Sequence, residues 1–389
     1  MDNLNSFNKI RFSIMARGLL PAFLSIFRKL DKDLIIFNSH FNLKFNSNTK
    51  YLFFYFLKNR KETVKFVMND DDERVRLTEL YGDHFIETKS FRGRMYALKA
   101  RTWFTNSYDL PVGGVFLKFR RNVVCLSHGS PIKNEGTLER DTGIVKKLYY
   151  NVLRTDFSHV LATADDFAKV YASYMKLPLK KILISGLPQF DEFSSEKKKD
   201  SCVDKSLFSI LYAPTWRHYG NPPLFDFDDF DASDFSNFLK ENKIMIYMRL
   251  HPNYGDDLPE SLSGISNICK FSGKKYPDIM EYLTSFDALI TDYSSIALDF
   301  LPLNRPLFYM ISDYDEYDKQ IGFCVDYNHW SPGYKPKTYA EFKKALLDAK
   351  TNDSYKAQRE QLMKEYACQT GGNCARLVSI LEEKNILKR

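Results

Sequence analysis

The chain has 389 residues, of which 44% are hydrophobic and 27% charged, and its formal net charge is +7. These are globular values, and the length exceeds one ordinary core, so we expect two domains. The sequence contains no run of about 18 uncharged apolar residues, which excludes an ordinary membrane-spanning helix. It begins without the layout of a secretory signal peptide, so we predict a cytoplasmic protein.

The basic balance suits an anionic partner, such as a membrane surface, a phosphorylated polymer or a nucleotide. Nucleic acid is the weaker candidate, because no nucleic-acid-binding motif accompanies the charge. The six cysteines include no C-x-x-C pair. Reduced, buried thiols are therefore favoured over disulfides or zinc ligands, and we predict no metal site.

The first 30 residues form a segment of their own. Residues 7–30 are largely apolar, with five Lys or Arg and no Asp or Glu. A basic amphipathic helix of this kind can lie in the interface of an anionic membrane. It can equally pack on its own domain, and the sequence leaves both alternatives open.

From residue 34 onward, short apolar strands alternate with helical patterns. The predicted strands are 34–37, 64–68, 101–106, 123–127, 159–163 and 182–185, then 208–213, 244–250, 265–271, 288–291 and 306–310. Helices are predicted between them, among others at 49–59, 73–81, 165–175, 277–286, 338–349, 354–366 and 373–384. This alternation is typical of parallel sheets covered by helices on both faces.

We therefore predict an α/β protein of two doubly wound, Rossmann-like domains that face a central cleft. The predicted boundaries are an N-terminal amphipathic segment at 1–30, a first domain at 31–193, a polar linker at 194–204 and a second domain at 205–389. In open α/β sheets, ligands bind beyond the carboxyl ends of the strands. Polar residues at those ends are the candidate site residues.

The most informative polar cluster follows the predicted strand 288–291. Asp292, Ser294 and Ser295 lie in a turn that leads directly into a predicted helix. Backbone N–H groups and two hydroxyls at a helix N-terminus favour a phosphate or diphosphate. For such a run taken alone, an ordinary serine-capped helix is the alternative.

Two further clusters in the second half can complete a diphosphate site. Thr215 and Arg217 follow the strand 208–213, and Arg249 and His251 lie at the end of the strand 244–250. Hydroxyl and guanidinium groups are good donors to phosphate oxygens. A histidine there can lower the charge that builds on a leaving group.

One cluster in the first half can supply a base. His128 and Gly129 follow the strand 123–127, and Lys133 comes shortly after them. An imidazole with an ordinary pKa near 6.5 is suited to removing a proton at neutral pH, and the lysine can hold an anion. A turn histidine bonded to the backbone is the alternative. The joint placement of all four clusters favours a nucleotide-diphosphate transferase.

These residues resemble the CDP-glycerol glycerophosphotransferase family, the GT-B-fold transferases of teichoic acid and capsule polymers, over roughly residues 34–380. The shared motifs are His128-Gly129 with Pro131, Lys133 and Gly136; Gly186-x-Pro188 with Asp191; 213–217; 250–252; 291–295 with Asp299; and 304–306. Gln189 and Ile321 stand where the family usually has arginine. Two absent arginines beside a polyanionic substrate point to a difference in donor or acceptor.

The resemblance implies an enzyme that transfers an alditol phosphate from a CDP-alditol to a hydroxyl and releases CMP. CDP-glycerol is the first expected donor and CDP-ribitol the second, and a lipid-linked saccharide or a polyol-phosphate chain is the expected acceptor. His128 would be the base, with His251 as a second catalytic residue and Gly129 and Lys133 on the acceptor side. The donor diphosphate would be held by Thr215, Arg217, Arg249, Asp292, Ser294 and Ser295.

No cofactor is required in this scheme, although a divalent cation is compatible with it. The N-terminal segment would hold the enzyme as a peripheral protein on the inner face of the cell membrane. Two alternatives remain open. A GT-B glycosyltransferase would share the fold and the phosphate site but would use a nucleotide sugar. A non-catalytic component of a polymer-export complex would need neither.

Overall fold

The computed structural model describes residues 2–140, 144–153, 156–195, 203–217, 219–250 and 258–388. The chain divides into two compact units. The first comprises Met1–Ser130, Gly136–Asp191 and Ala367–Arg389, and the second comprises Pro131–Glu135 and Glu192–Tyr366. The chain therefore passes between the units more than once.

Each unit contains one parallel sheet in its described residues. The strands of the first are β1 Asp31–Asn38, β2 Thr63–Val67, β3 Phe85–Ile86, β4 Ala100–Thr105, β5 Asn122–Cys125, β6 His159–Ala162 and β7 Ile182–Ile184. Those of the second are β8 Phe208–Tyr212, β9 Ile244–Met248, β10 Ile268–Lys270, β11 Ala288–Thr291 and β12 Leu307–Tyr309. The strand orders are β3-β2-β1-β4-β5-β6-β7 and β10-β9-β8-β11-β12.

Helices connect the strands, as parallel pairing requires. The first unit contains α1 Asp2–Ser25, α2 Ser47–Asn59, α3 Asp71–Tyr81, α4 Phe91–Ala97, α5 Ile144–Leu153, α6 Asp165–Met175 and α13 Asn373–Glu383. The second contains α7 Ala232–Glu241, α8 Glu260–Ser263, α9 Ile296–Phe300, α10 Tyr314–Gln320, α11 Tyr339–Thr351 and α12 Lys356–Leu362. The predicted α/β class with parallel sheets is confirmed.

The strands are apolar because both faces of each sheet are covered. All four residues of β6 and all four of β11 are buried. In the first unit, Phe37 of β1 contacts Phe53 and Phe56 of α2 and Phe104 of β4, with ring centroids 5.2–5.7 Å apart. Several of the 32 phenylalanines of the chain therefore lie in the core, where large rings stabilise the packing of helix on sheet.

The predicted helix at 277–286 is wrong. The structure has two short 3-10 helices there, Ile279–Glu281 and Leu283–Ser285. Arg305 donates to the carbonyl oxygens of Thr284 and Phe286, so a tertiary contact orients the end of this segment. The strand β3, which spans two residues, was not predicted because two residues show no alternation.

The C-terminal helix α13 belongs to the first unit, whereas the sequence-based boundaries placed 205–389 in the second domain. Both carboxylate oxygens of Asp191 accept hydrogen bonds at the start of α13, from the backbone N–H of Asn373 at 2.6 Å and of Cys374 at 2.9 Å. Glu382, near the helix end, forms an ion pair with Arg60. A carboxylate from elsewhere in the first unit thus caps this helix.

Helix α1 presents small residues to the protein and large apolar residues to the solvent. Gly18, Pro21, Ala22 and Ser25 are buried at helical spacing. A Cβ atom on Gly18 would lie 2.0 Å from the carbonyl oxygen of Gly113, so only glycine permits this approach. Among the described helices, none combines the length and apolarity that crossing a bilayer requires.

A buried aspartate gives the first unit a testable pH dependence. Asp156 accepts a hydrogen bond from the backbone N–H of Leu117 at 2.7 Å, and its Oδ2 has no partner among the described residues. Burial raises the pKa of Asp156 to about 7. The carboxyl therefore costs little stability below about pH 4, where it is protonated in both states, and destabilises the fold increasingly as pH rises from about 4 to about 7.

We expect Asp156→Asn to be more stable than the wild type near pH 8 by a few kcal/mol and no more stable near pH 4. Asparagine keeps the acceptor for Leu117 and removes the titration. Urea denaturation of both proteins at each pH measures the difference in the free energy of unfolding. His159, whose pKa burial lowers to about 4, titrates with the opposite effect on stability, but its contribution is the same in both proteins and cancels in the difference. The exposed Asp165→Asn is the control. An equal gain at both pH values would contradict the assignment.

Candidate functional site

The turn after β11 is held by a buried cluster of charged and polar side chains. Both oxygens of Asp292 accept from the backbone N–H of Thr215, at 2.9 and 3.0 Å, and Oδ1 also accepts from the Thr215 hydroxyl at 2.6 Å. Arg217 donates from Nη1 to Asp292 Oδ2 at 2.8 Å. The second carboxylate is Asp313, which accepts from Arg217 Nε at 2.6 Å. We call Thr215, Arg217, Asp292 and Asp313 the Arg217 cluster.

Aromatic rings enclose the guanidinium. Its central carbon lies 5.4 Å from the ring centroids of both Tyr293 and Tyr317, and the Tyr293 hydroxyl donates to Asp313 at 2.9 Å. Burial lowers the pKa of Arg217, but Asp313 and Asp292 outweigh it, so its pKa is raised. The charge is therefore fixed as positive and neutralised by protein carboxylates.

These contacts give three predicted residues a role that differs from the expected one. The Thr215 hydroxyl and the Arg217 guanidinium donate to protein acceptors, and Arg217 and Asp292 are each only 2% exposed. Asp292 is an acceptor that would repel a phosphate. The geometry indicates that these residues position the turn after β11 by joining it to the end of the neighbouring strand β8.

Ser294 and Ser295 follow Tyr293 in the same turn and are half-buried. Ser294 Oγ accepts from the backbone N–H of Ile296 at 3.4 Å, and Ser295 makes no side-chain cap to the helix that it precedes. That helix, α9, has five residues. The two hydroxyls are the polar side-chain groups of this turn that can still donate to a ligand.

Arg249 lies at the end of β9 and is half-buried. It donates to the carbonyl oxygen of Tyr276 at 2.8 Å and lies 6.0 Å from the Phe271 ring centroid, so the loop after β10 orients it. His251, the other residue predicted at this strand end, lies outside the described residues.

Lys133 belongs to the second unit, although it comes early in the chain. It forms an antiparallel bridge with Phe323, and the neighbouring Asn134 N–H donates to the Gly322 carbonyl oxygen at 3.0 Å. The Phe323 ring lies 5.6 Å from Tyr293, which encloses Arg217. The structure therefore groups Lys133 with the turn after β11, and not with the acceptor side as predicted.

His128 lies in the first unit, just beyond the end of β5, and its side chain is exposed. The imidazole makes no hydrogen bond to any residue that the structure describes. The turn itself is held firmly, because Asn48 donates to the Ser127 carbonyl oxygen at 2.9 Å and Tyr171 donates to that of Gly129 at 3.0 Å. A fixed backbone thus presents an accessible imidazole.

The backbone at His128 is also strained. Ser127 has a φ of 55°, in the left-handed region that residues other than glycine rarely adopt. Such conformations persist where surrounding contacts determine them, and they concentrate at functional sites. Asn48 supplies such contacts, since its Oδ1 also accepts from the backbone N–H of Gln189 at 3.1 Å.

Two positioning residues, Asn48 and Asp313, carry no sequence signal that predicts their roles. Asn48 lies in the polar run before the predicted helix 49–59, where it is typical of a helix cap. Asp313 follows β12 and is 96 residues from Arg217 in sequence. The strand order of the sheet brings Asp313 and Arg217 together, so no local sequence pattern indicates this pair.

Removing one charge from the Arg217 cluster is expected to destabilise the second unit strongly. Asp292→Asn leaves Arg217 buried with less compensation, and we expect a loss on the order of 3 kcal/mol in the free energy of unfolding. Denaturant titration measures it. The exposed Asp326→Asn, in the same unit, serves as the matched control and should change little. A loss below about 1 kcal/mol for Asp292→Asn would contradict the positioning role.

Comparison with known proteins finds related sequences and structures. Residues 20–382 match the sequence model of the family described as CDP-Glycerol:Poly(glycerophosphate) glycerophosphotransferase. The chain is 25% identical over 362 residues to a teichoic acid poly(glycerol phosphate) polymerase of Bacillus spizizenii, covering 87% of this chain and 88% of that protein.

A second relative from Bacillus spizizenii, a teichoic acid poly(ribitol-phosphate) polymerase, is 27% identical over 210 residues, which is 51% of this chain. The match spans about a third of that protein, namely 33% of its length.

Among solved structures, the wall teichoic acid polymerase TagF soaked with CDPG is similar with a TM-score of 0.74 and 20% identity, covering 97% of this chain and 98% of that one. This match confirms the predicted GT-B-like fold class. The family match extends over most of the chain and includes both units. The protein therefore belongs to the CDP-glycerol glycerophosphotransferase family, the enzymes that transfer or polymerise glycerol and ribitol phosphate in teichoic acid synthesis.

Proposed function

We propose that the protein transfers an alditol phosphate from a CDP-alditol to a hydroxyl of a lipid-linked saccharide or polyol-phosphate chain and releases CMP. CDP-glycerol is the first candidate donor and CDP-ribitol the second. The observation that carries the proposal is the Arg217 cluster, which fixes the turn after β11 so that Ser294 and Ser295 present their hydroxyls at a strand end.

On the donor side, the second unit supplies hydroxyl donors and positive charge. Ser294 and Ser295 would donate to the diphosphate, while Arg249 and Lys133, both half-buried cations of this unit, would offset its charge. Phosphoryl transfer depends mainly on positioning and charge stabilisation. The scheme requires no metal ion, although a divalent cation is compatible with it.

On the acceptor side, His128 would act as the general base. Its imidazole takes the proton of the acceptor hydroxyl, and the acceptor oxygen attacks the phosphorus that bears the alditol. A new phosphate ester bond forms, the bond from that phosphorus to the bridging oxygen breaks, and CMP leaves with that oxygen. The exposed imidazole on a fixed backbone fits this role.

We also propose that α1 binds the surface of an anionic membrane. Its outer face exposes Leu20 and Phe23 by 61% and 57%, and the nearby loop exposes Phe116 and Phe119. Exposed apolar side chains with cations around them are typical of interfacial helices. The small residues that face the protein explain why the large ones face outward.

The identity of the nucleotide product tests the chemistry. We expect His128→Ala to lower CMP formation from CDP-glycerol by about 100-fold or more, with donor binding retained, because only proton removal is lost. His84→Ala, a half-buried histidine of the same unit, is the matched control. Release of CDP or UDP from a nucleotide sugar would instead show a glycosyltransferase. Undiminished polymer output in cells carrying His128→Ala would favour a non-catalytic role.

The two serines are tested by donor binding. The Ser294→Ala/Ser295→Ala variant removes two donors to a charged ligand, and we expect CDP-glycerol affinity to fall by about 100-fold. Calorimetric titration measures it, and the single variants show whether each serine contributes. Unchanged affinity in the double variant would overturn the phosphate-site assignment, whatever happens to turnover.

The membrane proposal is tested by vesicle flotation. Leu20→Glu/Phe23→Glu places two charges on the outer face of α1, and we expect at least a tenfold loss of partitioning into anionic vesicles. Leu179→Glu is the control, because Leu179 is equally exposed, at 58%, away from this helix. Equal losses in both variants would contradict a specific membrane face.

A further inference from the structure

A small cavity lies in the first unit between α1 and the carboxyl ends of three strands. Its volume is about 70 Å³. The lining includes Asn42, Asn69 and Thr88, which follow β1, β2 and β3 and which we call the floor of the cavity. The basic residues Arg17 of α1, Lys89 and Arg94 also line it. This cavity is separate from the His128 turn and from the residues of the second unit.

The cavity is cationic. It is lined by three basic side chains, and none of the described residues that line it is acidic. Arg17 is exposed and forms no ion pair within the described part of the chain, whereas Lys89 pairs with the exposed Asp71. The lining therefore has an excess of positive charge, which an anion would neutralise.

Arg94 has an unused buried donor at this place. Its Nη1 donates to the carbonyl oxygens of Thr88 at 3.2 Å and Lys89 at 2.6 Å. Its Nε is buried and has no hydrogen-bond partner among the described residues. A buried donor without an acceptor is costly, so the guanidinium is oriented as if for an acceptor that is not part of the chain.

The floor is already in place for a ligand. Asn69 Oδ1 accepts from the backbone N–H of Thr88 at 2.7 Å, and its Nδ2 donates to the Thr88 hydroxyl oxygen at 3.2 Å. The Asn69 backbone N–H donates to the Asn42 carbonyl oxygen at 2.7 Å. These bonds join the ends of β1, β2 and β3, so an anion would bind without ordering the loops first.

Size limits the occupant to one small group. A volume of about 70 Å³ is several times the roughly 10–15 Å³ that one buried water molecule needs. It is far below the roughly 300–1,000 Å³ of pockets for drug-sized ligands. A single tetrahedral phosphate fits this space, and a nucleotide does not. The cavity is therefore not a second donor site.

The helix over the cavity is the one with the exposed apolar face. Gly18 and Gly113 are in backbone contact, which fixes α1 against the loop that helps line the cavity. Leu20 and Phe23 are exposed on the outer side of the same helix. A ligand with a phosphate head and a hydrocarbon tail can contact both the cationic cavity and the apolar face of α1, whereas a soluble anion can contact only the cavity.

We propose that this cavity binds the phosphate group of the lipid that carries the acceptor saccharide. This proposal rests on the proposed transferase function, in which that lipid carries the acceptor. In the sheet order, β2 and β5 are three strand spacings apart, roughly 14 Å. This distance, between a phosphate held at the end of β2 and a hydroxyl at the His128 turn after β5, is one that a short oligosaccharide can span.

Flotation of the full chain with two kinds of vesicle tests the site. One contains phosphatidic acid, which exposes a terminal phosphate, and the other contains phosphatidylserine at matched zeta potential. We expect the wild type to prefer phosphatidic acid by about tenfold, since each charge-assisted hydrogen bond contributes strongly. Arg17→Gln/Lys89→Gln should lose that preference.

The matched control is Arg28→Gln/Lys29→Gln, which removes the same charge just beyond α1 and outside the cavity. It should weaken binding to both vesicles equally and keep the preference. Arg94→Lys retains the charge but lacks Nε, and should also lose the preference. Equal binding of both vesicles by the wild type, or a preference that survives Arg17→Gln/Lys89→Gln, would overturn the proposal.

Two further measurements separate related outcomes. Calorimetric titration with inorganic phosphate should show binding much weaker than binding to phosphatidic acid vesicles; tight phosphate binding without a vesicle preference would identify a soluble-anion site and overturn the lipid assignment. CMP release from CDP-glycerol with a soluble acceptor should be unchanged in Arg17→Gln/Lys89→Gln. Absence of CMP release from the wild type would reject the transferase function while the vesicle preference was still measured independently.

Discussion

The second unit depends on one buried ion pair, between Arg217 and Asp292. Taking these charges out of water is expensive, and the arrangement is stable only because Thr215, Asp313 and Tyr293 complete the hydrogen bonding. The same contacts join the ends of β8 and β11 and restrict the turn between them. The proposed phosphate site would thus be positioned by charges that do not themselves contact the phosphate.

The first unit uses neutral groups for a comparable purpose. Asn48 and Tyr171 hold the carbonyl oxygens beside His128, and Asn42 and Asn69 join the strand ends at the cationic cavity. Amides both donate and accept, so one side chain can tie two backbone segments without adding charge. The two units therefore differ in chemistry although both place polar residues at the carboxyl ends of parallel strands.

The sequence predicts the sheets well and the roles of the site residues less well. Buried strands such as β6 and β11 are short apolar runs, which local pattern reveals. Arg217 looks like a phosphate ligand because its partner Asp313 is distant in sequence, and Lys133 looks like an acceptor residue because its bridge to Phe323 leaves no local signal. The exposure of His128 at a strand end agrees with the sequence pattern, because a histidine after a strand needs no distant partner to be exposed.

The return of the chain to the first unit affects how the protein is made. Synthesis proceeds from the N-terminus, so Asp191 is translated long before helix α13. The carboxylate of Asp191 accepts hydrogen bonds from the first backbone N–H groups of that helix. The first unit therefore remains incomplete during translation while Glu192–Tyr366 of the second unit is produced. Contacts of such high sequence separation form late and slowly. In a nascent chain truncated before residue 367, the part of the first unit that Ala367–Arg389 covers would be exposed and available to chaperones and proteases.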